Sequence, residues 1–273
     1  MQRTYPHGVP CWVDCEVQDQ PAAADFYGRL LGWTFEDAMP PGSPVSYLIA
    51  KLDGQDVGGI APTGGPGQWN TYMAVDDCDA AAASAAALGA KIDYEPADAG
   101  PGGRWASLVD PDGAAFRLWQ ARRRLGSQVA NVPGAWNFSI LQTADVQRSM
   151  DFYRALLGWQ VLGELSPDGA MVTVPGYGDH LAATVDPTIH ERQASAPPGF
   201  ADVVAGMEAL DADAQPRWEV KITVADRDAT ADLATKLGAE VLSTRETMWT
   251  REAVIVDPQG ARFVASQFTP PTR

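Results

Sequence analysis

At 273 residues, with 45% hydrophobic and 20% charged side chains, the chain has an ordinary globular composition and enough length for two modest cores. Its formal net charge of −15 argues against nucleic acid, whose phosphates require basic patches, and reads instead as solubility. No apolar run approaches the roughly 18 residues of a membrane span, the opening MQRTYPHGVP lacks a signal-peptide core, and Cys11, Cys15 and Cys78 leave an odd thiol; the expectation is a cytoplasmic protein with small buried cysteines and no membrane partner.

In chain order, CWVDCEV reads as a short strand. A helix opens at Asp19 to Pro21 with proline in its first turn, carries Ala24, Tyr27, Leu30 and Leu31 at helical spacing, and stops at Gly32. Trp33 to Asp37, Ser46 to Leu52 and Asp56 to Ala61 read as strands separated by Pro/Gly or Asp-Gly turns. Trp69 to Val75 starts a second unit, Asp77 to Leu88 is an alanine-rich helix ended by Gly89, and three strands finish at Trp119 with Asp110 to Gly113 as a hairpin turn. ARRRLGSQVANVPG, basic and then Gly- and Pro-bearing, reads as a linker.

The pattern then repeats. PAAADFYGRLLGWTF (21–35) matches VQRSMDFYRALLGWQVL (146–162) through DFY and LLGW. Leu88-Gly89-Ala90 matches Leu237-Gly238-Ala239, and VDPDGAAF (109–116) matches VDPQGARF (256–263). The sequence therefore divides into a first domain (1–122), a linker (123–135) and a second domain (136–273). The second copy has a strand ending near Val185 and another beginning at Trp218, with residues 186–217 between them where the first has only PTGGPGQ. Phe200 to Leu210 is predicted as a brief helix, and the stretch reads either as a lid or interface or as a disordered insertion around Gln193 to Gly199.

This order of motifs, present twice, resembles the vicinal oxygen chelate superfamily of glyoxalase, bleomycin-resistance and dioxygenase relatives, in particular its tandem-domain actinobacterial group described as hydroxylases. The resemblance implies an α+β fold of tandem glyoxalase/bleomycin-resistance-like domains, each made of two βαβββ units forming a curved, cup-shaped mixed sheet. It also implies where a metal would be held: seven residues before the Asp that opens the helix, and four after the Gly of DPxG. Those positions are Trp12 and Arg117 in the first repeat, with Asn70 on the middle strand, and Phe138 and Val264 in the second, with Glu219. A permanently charged Arg117 would repel a divalent cation. Glu219 with His180, the latter expected on a strand, is the one residual donor pair, so no metal and no cofactor are expected.

Strand alternation puts Trp12, Asp14 and Glu16 on one face of the first strand and Arg117 and Trp119 on one face of the last, together in the first cup. With Asn70, Tyr72, and Trp105 or Arg104, the first cup has flat apolar walls and a few polar handles, which suits a planar small molecule. Asp14 or Glu16 reads equally as the structural ion-pair partner of Arg117. The second cup is more apolar, with Phe138, Ile140 and Gln142 on its first strand, Val264 and Ser266 on its last, and Glu219, Lys221, Trp249 and Arg251 as polar or aromatic candidates.

Two functions follow. One is metal-independent binding of an aromatic natural product for resistance, sequestration or carriage. The other is a metal-independent cyclase, isomerase, lyase or hydroxylase-like enzyme in secondary metabolism, with Asp14 or Glu16 as general base and Arg117 stabilising developing negative charge. A metal-dependent glyoxalase or dioxygenase is disfavoured by the substituted ligand positions. A monomer and a homodimer stay equally open.

Overall fold

The computed structural model describes residues 2–210 and 214–269. Among them the first repeat runs β1(Pro10–Val17), α1(Gln20–Leu31), β2(Thr34–Asp37), β3(Leu48–Leu52), β4(Gln55–Pro62), β5(Gln68–Ala74), α2(Cys78–Ala87), β6(Lys91–Asp98), β7(Gly103–Val109) and β8(Ala115–Ala121). The second runs β9(Trp136–Thr143), α3(Val146–Leu157), β10(Gln160–Val161), β11(Gly169–Thr173), α4(Tyr177–Thr184), α5(Ile189–Arg192), a 3-10 turn Phe200–Asp202, β12(Val203–Ala209), β13(Arg217–Thr223), α6(Arg227–Lys236), β14(Glu240–Glu246), β15(Thr250–Val256) and β16(Arg262–Phe268). Each repeat supplies one eight-stranded mixed sheet, so the fold is α+β and tandem.

One local device starts the four long helices. Asp19, Asp77, Asp145 and Asp226 each stand in extended backbone and accept a hydrogen bond from the N–H three residues on, at 2.9 to 3.0 Å. This satisfies an N–H that the helix itself leaves open. α1 and α3 then stop at Gly32 and Gly158, both left-handed with φ of 76° and 72°, where a side chain would be strained.

The chain forms two compact units, each drawn from both repeats. The first is Met1–Cys11, Thr71–Gly126 and Ser139–Trp218; the second is Trp12–Asn70, Ser127–Phe138 and Glu219–Arg273. In the first unit lie the strand sets β5-β8-β7-β6 and β10-β11-β12-β9. Its core joins Met73, Leu108, Phe116 and Leu118 to Leu141, Met150, Tyr153 and Trp159. The second unit holds β2-β3-β4-β1 and β13-β16-β15-β14, with a core joining Val13, Phe26, Tyr27 and Trp33 to Val220, Ile255 and Phe263.

The repeated motifs fasten each unit internally. In the second unit the Tyr27 hydroxyl donates to Asp257 Oδ2 at 2.8 Å and accepts from the Trp69 indole at 3.1 Å, while Asp257 Oδ1 takes the N–H groups of Gln259 and Ala261. In the first unit Tyr153 donates to Asp110 at 2.9 Å and accepts from Trp218 at 3.1 Å. The LLGW tryptophans act likewise, Trp33 donating to the Gly134 carbonyl and Trp159 to that of Gly8. The FY and DPxG motifs therefore build a clasp between a helix of one repeat and a turn of the other, and the LLGW tryptophans bond the segment just ahead of the other repeat's first strand.

The second repeat departs from expectation between β11 and β12. His180 stands on helix α4, not on a strand: Gly176 opens the helix in left-handed backbone, and Asp202 Oδ1 accepts the Gly178 N–H at 2.7 Å. The extra residues are thus 174–202, earlier than the 186–217 read from sequence, although 211–213 lie outside the described residues. The predicted helix over 200–210 is instead the 3-10 turn followed by β12. β12 pairs in parallel with β9 and is buried on successive residues, and such a strand has a continuous apolar run that carries no period of two. The cysteines are buried free thiols, and burial pushes Cys78 up to about 12. Among the described residues no helix is long and apolar enough to cross a membrane.

Candidate functional site

In the first unit, strand register sorts the side chains of β5, β8 and β7 onto two faces. Tyr72 pairs with Arg117 and Arg117 with Ser107; Ala74 pairs with Trp119 and Trp119 with Trp105. Directly paired residues share a face, so these stand together, while the intervening Met73, Leu118 and Ala106 enter the core. Arg117 is only 7% exposed. Its Nη1 donates to the Tyr72 hydroxyl at 2.7 Å, and its guanidinium carbon lies 5.3 Å from the centre of the Tyr72 ring and 5.4 Å from that of Trp105. Trp119 meets Tyr72 edge to face, donates its indole N–H to the Arg124 carbonyl, and lies over Gly103, where a Cβ would come within 2.6 Å of the ring. Tyr94 on β6 stacks on Trp105 at 4.8 Å with the rings 9° from parallel.

Arg104 does not join this face. Alternation turns it the other way, where Asp79 holds it with two hydrogen bonds of 2.6 and 2.7 Å and Asp98 lies at 3.5 Å. The Asp79 hydrogen bonds raise the guanidinium pKa further, and Arg104 in turn lowers that of Asp79.

In the second unit, Asp14 is fully buried on β1. Asn70 Nδ2 donates to its Oδ1 at 2.9 Å and the Tyr47 hydroxyl to its Oδ2 at 3.1 Å; Tyr47 in turn accepts the Trp12 indole N–H at 2.8 Å. Gly59, the register partner of Asp14 on β4, makes this possible, since a Cβ there would lie 2.5 Å from the Tyr47 oxygen. Trp12, Asp14 and Asn70 are thus brought together, and Glu16 is half-buried further along β1, in register with Ala61.

The second repeat's candidates fall apart. Lys221, Val264 and Val254 pair in register, as do Ser266 and Glu252, in the places that Tyr72, Arg117, Ser107, Trp119 and Trp105 take in the first repeat. Glu252 is 2% exposed; Lys221 Nζ reaches its Oε1 at 2.8 Å and Arg245 Nε its Oε2 at 2.6 Å. Burial raises the Glu252 pKa, but the charges and hydrogen bonds of Lys221 and Arg245 outweigh it and hold the carboxyl below its usual value. Glu219 is engaged by Arg262 through two contacts of 3.0 Å. Arg251 pairs with Glu246 and Asp228. Trp249 is 46% exposed in the β14–β15 turn and stacks on Phe268. Phe138 and Gln142 are half-buried on β9, the first with its carbonyl taken by Trp136 and the second in register with Glu208.

Sequence reasoning missed Tyr47, Tyr94 and Glu252. Tyr47 falls within the strand predicted over Ser46 to Leu52, but β3 begins only at Leu48, so alternation does not place its side chain. Tyr94 follows a register shift in β6, which breaks the period-two count. The adjacency of Glu252 to Lys221 depends on strand order, which local pattern does not carry.

The comparisons with known proteins agree with this architecture. Residues 12–118 match the family model of the glyoxalase/bleomycin resistance protein/dioxygenase superfamily, and residues 139–265 that of a glyoxalase-like domain. CFP32 of Mycobacterium tuberculosis is 34% identical over 95% of this chain and 94% of its own. The anthracycline biosynthesis protein DnrV of Streptomyces peucetius is 31% identical over 94% of this chain and 92% of its own. The chain belongs to the glyoxalase/bleomycin resistance/dioxygenase superfamily, as a tandem-domain member. Among solved structures, the Mn(II)-bound glyoxalase of Novosphingobium aromaticivorans has a TM-score of 0.60 at 17% identity, covering 97% of this chain and 85% of that one. The 2,3-dioxygenase LapB of Pseudomonas sp. KL28 has 0.60 at 13%, covering 97% and 95%. At these identities the likeness is one of fold.

A divalent metal of the kind that glyoxalase holds does not fit the residues present here. Trp12 donates its only polar hydrogen to Tyr47, Arg117 is a fixed cation, Phe138 and Val264 have no donor atom, and Glu219 is held by Arg262. His180 accepts or donates at Thr4, 3.0 Å away. Among the described residues no group of three His, Cys, Asp or Glu side chains could hold a metal ion.

Proposed function

We propose that this protein binds a flat aromatic small molecule of natural-product type, without a metal, on the face built by Tyr72, Trp105, Arg117 and Trp119, in a resistance, sequestration or carrier role. The observation that carries the reading is a guanidinium held against two aromatic rings on one face of the sheet. Taking an arginine out of water costs several kcal/mol, on the order of the loss for any buried ion, and here aromatic faces form part of what surrounds it. Aromatic walls with one strongly directional polar group are how proteins orient planar ligands. Similarity to proteins of anthracycline biosynthesis points the same way, since an anthracycline core is a hydroxylated polycyclic quinone.

A second reading is favoured by the Asp14 arrangement: a fully buried carboxylate oriented by Tyr47 and Asn70 is positioned as a general base for a cyclase, isomerase, lyase or hydroxylase-like reaction. One experiment separates the two. Purified protein is titrated with a dihydroxyanthraquinone by calorimetry and the ligand is then recovered and analysed. Saturable binding, weakened in Trp105→Ala, with unchanged ligand supports the carrier; product formation lost in Asp14→Asn supports the enzyme; no saturable binding to any flat polycyclic phenol or quinone sinks both. Stoichiometric metal in the same preparation contradicts the metal-free part.

A further inference from the structure

The Tyr94–Trp105 stack has a consequence for the ligand that rests on the binding reading above. Within the first unit β7 lies between β8 and β6. Trp105 therefore has Arg117 as a neighbour from the β8 side, 5.4 Å from its ring centre, and Tyr94 from the β6 side, stacked on its ring. The two neighbours differ in how firmly they are held. Arg117 is 7% exposed, whereas Tyr94 is 52% exposed, on the edge strand of its set, with a register shift on either side of it. A bulged edge residue gives way at little cost to the sheet.

We infer that Tyr94 is an exchangeable plug, an internal phenol occupying the slot on Trp105 that a phenolic ring of the ligand takes, and that the ligand class is accordingly a flat hydroxylated aromatic. The Tyr94 ring, 9° from parallel with the indole, marks the ring orientation the slot accepts.

Binding must then displace Tyr94, and removing it removes a competitor. Titrating the dihydroxyanthraquinone by calorimetry into wild type, Tyr94→Phe, Tyr94→Ala and Trp105→Ala tests this. Tyr94→Ala is expected to bind about threefold to tenfold more tightly, the factor that corresponds to one aromatic stack. Tyr94→Phe is expected to match wild type because the ring remains, and Trp105→Ala to bind more weakly. Unchanged or weaker binding in Tyr94→Ala, with Trp105→Ala still weakened, overturns the plug while leaving the site in place. Unchanged binding in Trp105→Ala overturns the site reading and the plug with it.

Discussion

The two repeats share a clasp and differ at the face it supports. In the first unit the register positions of β5, β8 and β7 hold Tyr72, Arg117, Trp119 and Trp105; the same positions of β13, β16 and β15 in the second unit hold Lys221, Val264, Ser266 and Glu252. The second set neutralises itself, since Glu252 is gripped by Lys221, by Arg245 and by the Thr250 hydroxyl at 3.0 Å. Its polar groups are spent on one another. The first set holds its guanidinium beside two aromatic rings, the arrangement on which the binding proposal rests.

The strongest break of this comparison is Glu252→Ala, which takes the carboxylate from the buried Lys221. It is expected to cost about 3–5 kcal/mol, as removal of one partner from a buried ion pair does, and to lower the melting temperature by on the order of 10 °C. Lys221→Met with Glu252→Leu should restore most of that loss in the same thermal scan. The network also sets a pH dependence. Glu252 has a folded-state pKa below its ordinary 4.5, so its stabilisation is present above that value and fades as pH falls through the folded one. Melting curves of wild type and Glu252→Gln should therefore differ at neutral pH and converge only once pH has fallen through the lowered folded-state pKa.

Tyr27→Phe and Tyr153→Phe test whether the scaffold is shared. Each removes a hydroxyl that serves an aspartate and an indole, and each should cost about 1–3 kcal/mol in denaturant unfolding for the buried partners left unsatisfied. Near-equal losses place the difference between the copies at the faces and not in the clasp. Trp105→Ala should weaken the dihydroxyanthraquinone by about tenfold, roughly one ring's worth of stacking, while Glu252→Gln leaves affinity unchanged. The smallest effect is expected for Arg104→Gln: its ion pairs are solvent-facing, so stability should move by less than about 1 kcal/mol and binding not at all.

Much of the scaffold is legible in the sequence because its signals are local. Asp19 with Pro21, Gly32, and the DPDG and DPQG turns each announce a helix end or hairpin within a few residues, and they recur at matching places. The face in the first unit was legible in part for the same reason: Arg117 and Trp119 are two apart on one strand, and alternation suffices. Arg104 and Trp105 are adjacent, so sequence offered both, and only register sends Arg104 toward Asp79. The expected strand at His180 failed because a helix started by Gly176 and fastened by Asp202 interrupts the repeat there, a long-range contact absent from any local pattern. The pairing of Lys221 with Glu252 likewise depends on which strands neighbour one another.

The central claim is that the first copy's face binds and the second copy's does not. Amide hydrogen exchange with and without saturating dihydroxyanthraquinone addresses it directly. The account predicts slowed exchange along 71–74, 103–109 and 115–121, with 219–223, 250–256 and 262–268 unchanged. Protection confined to the second group, or none in the first at saturation, would contradict it.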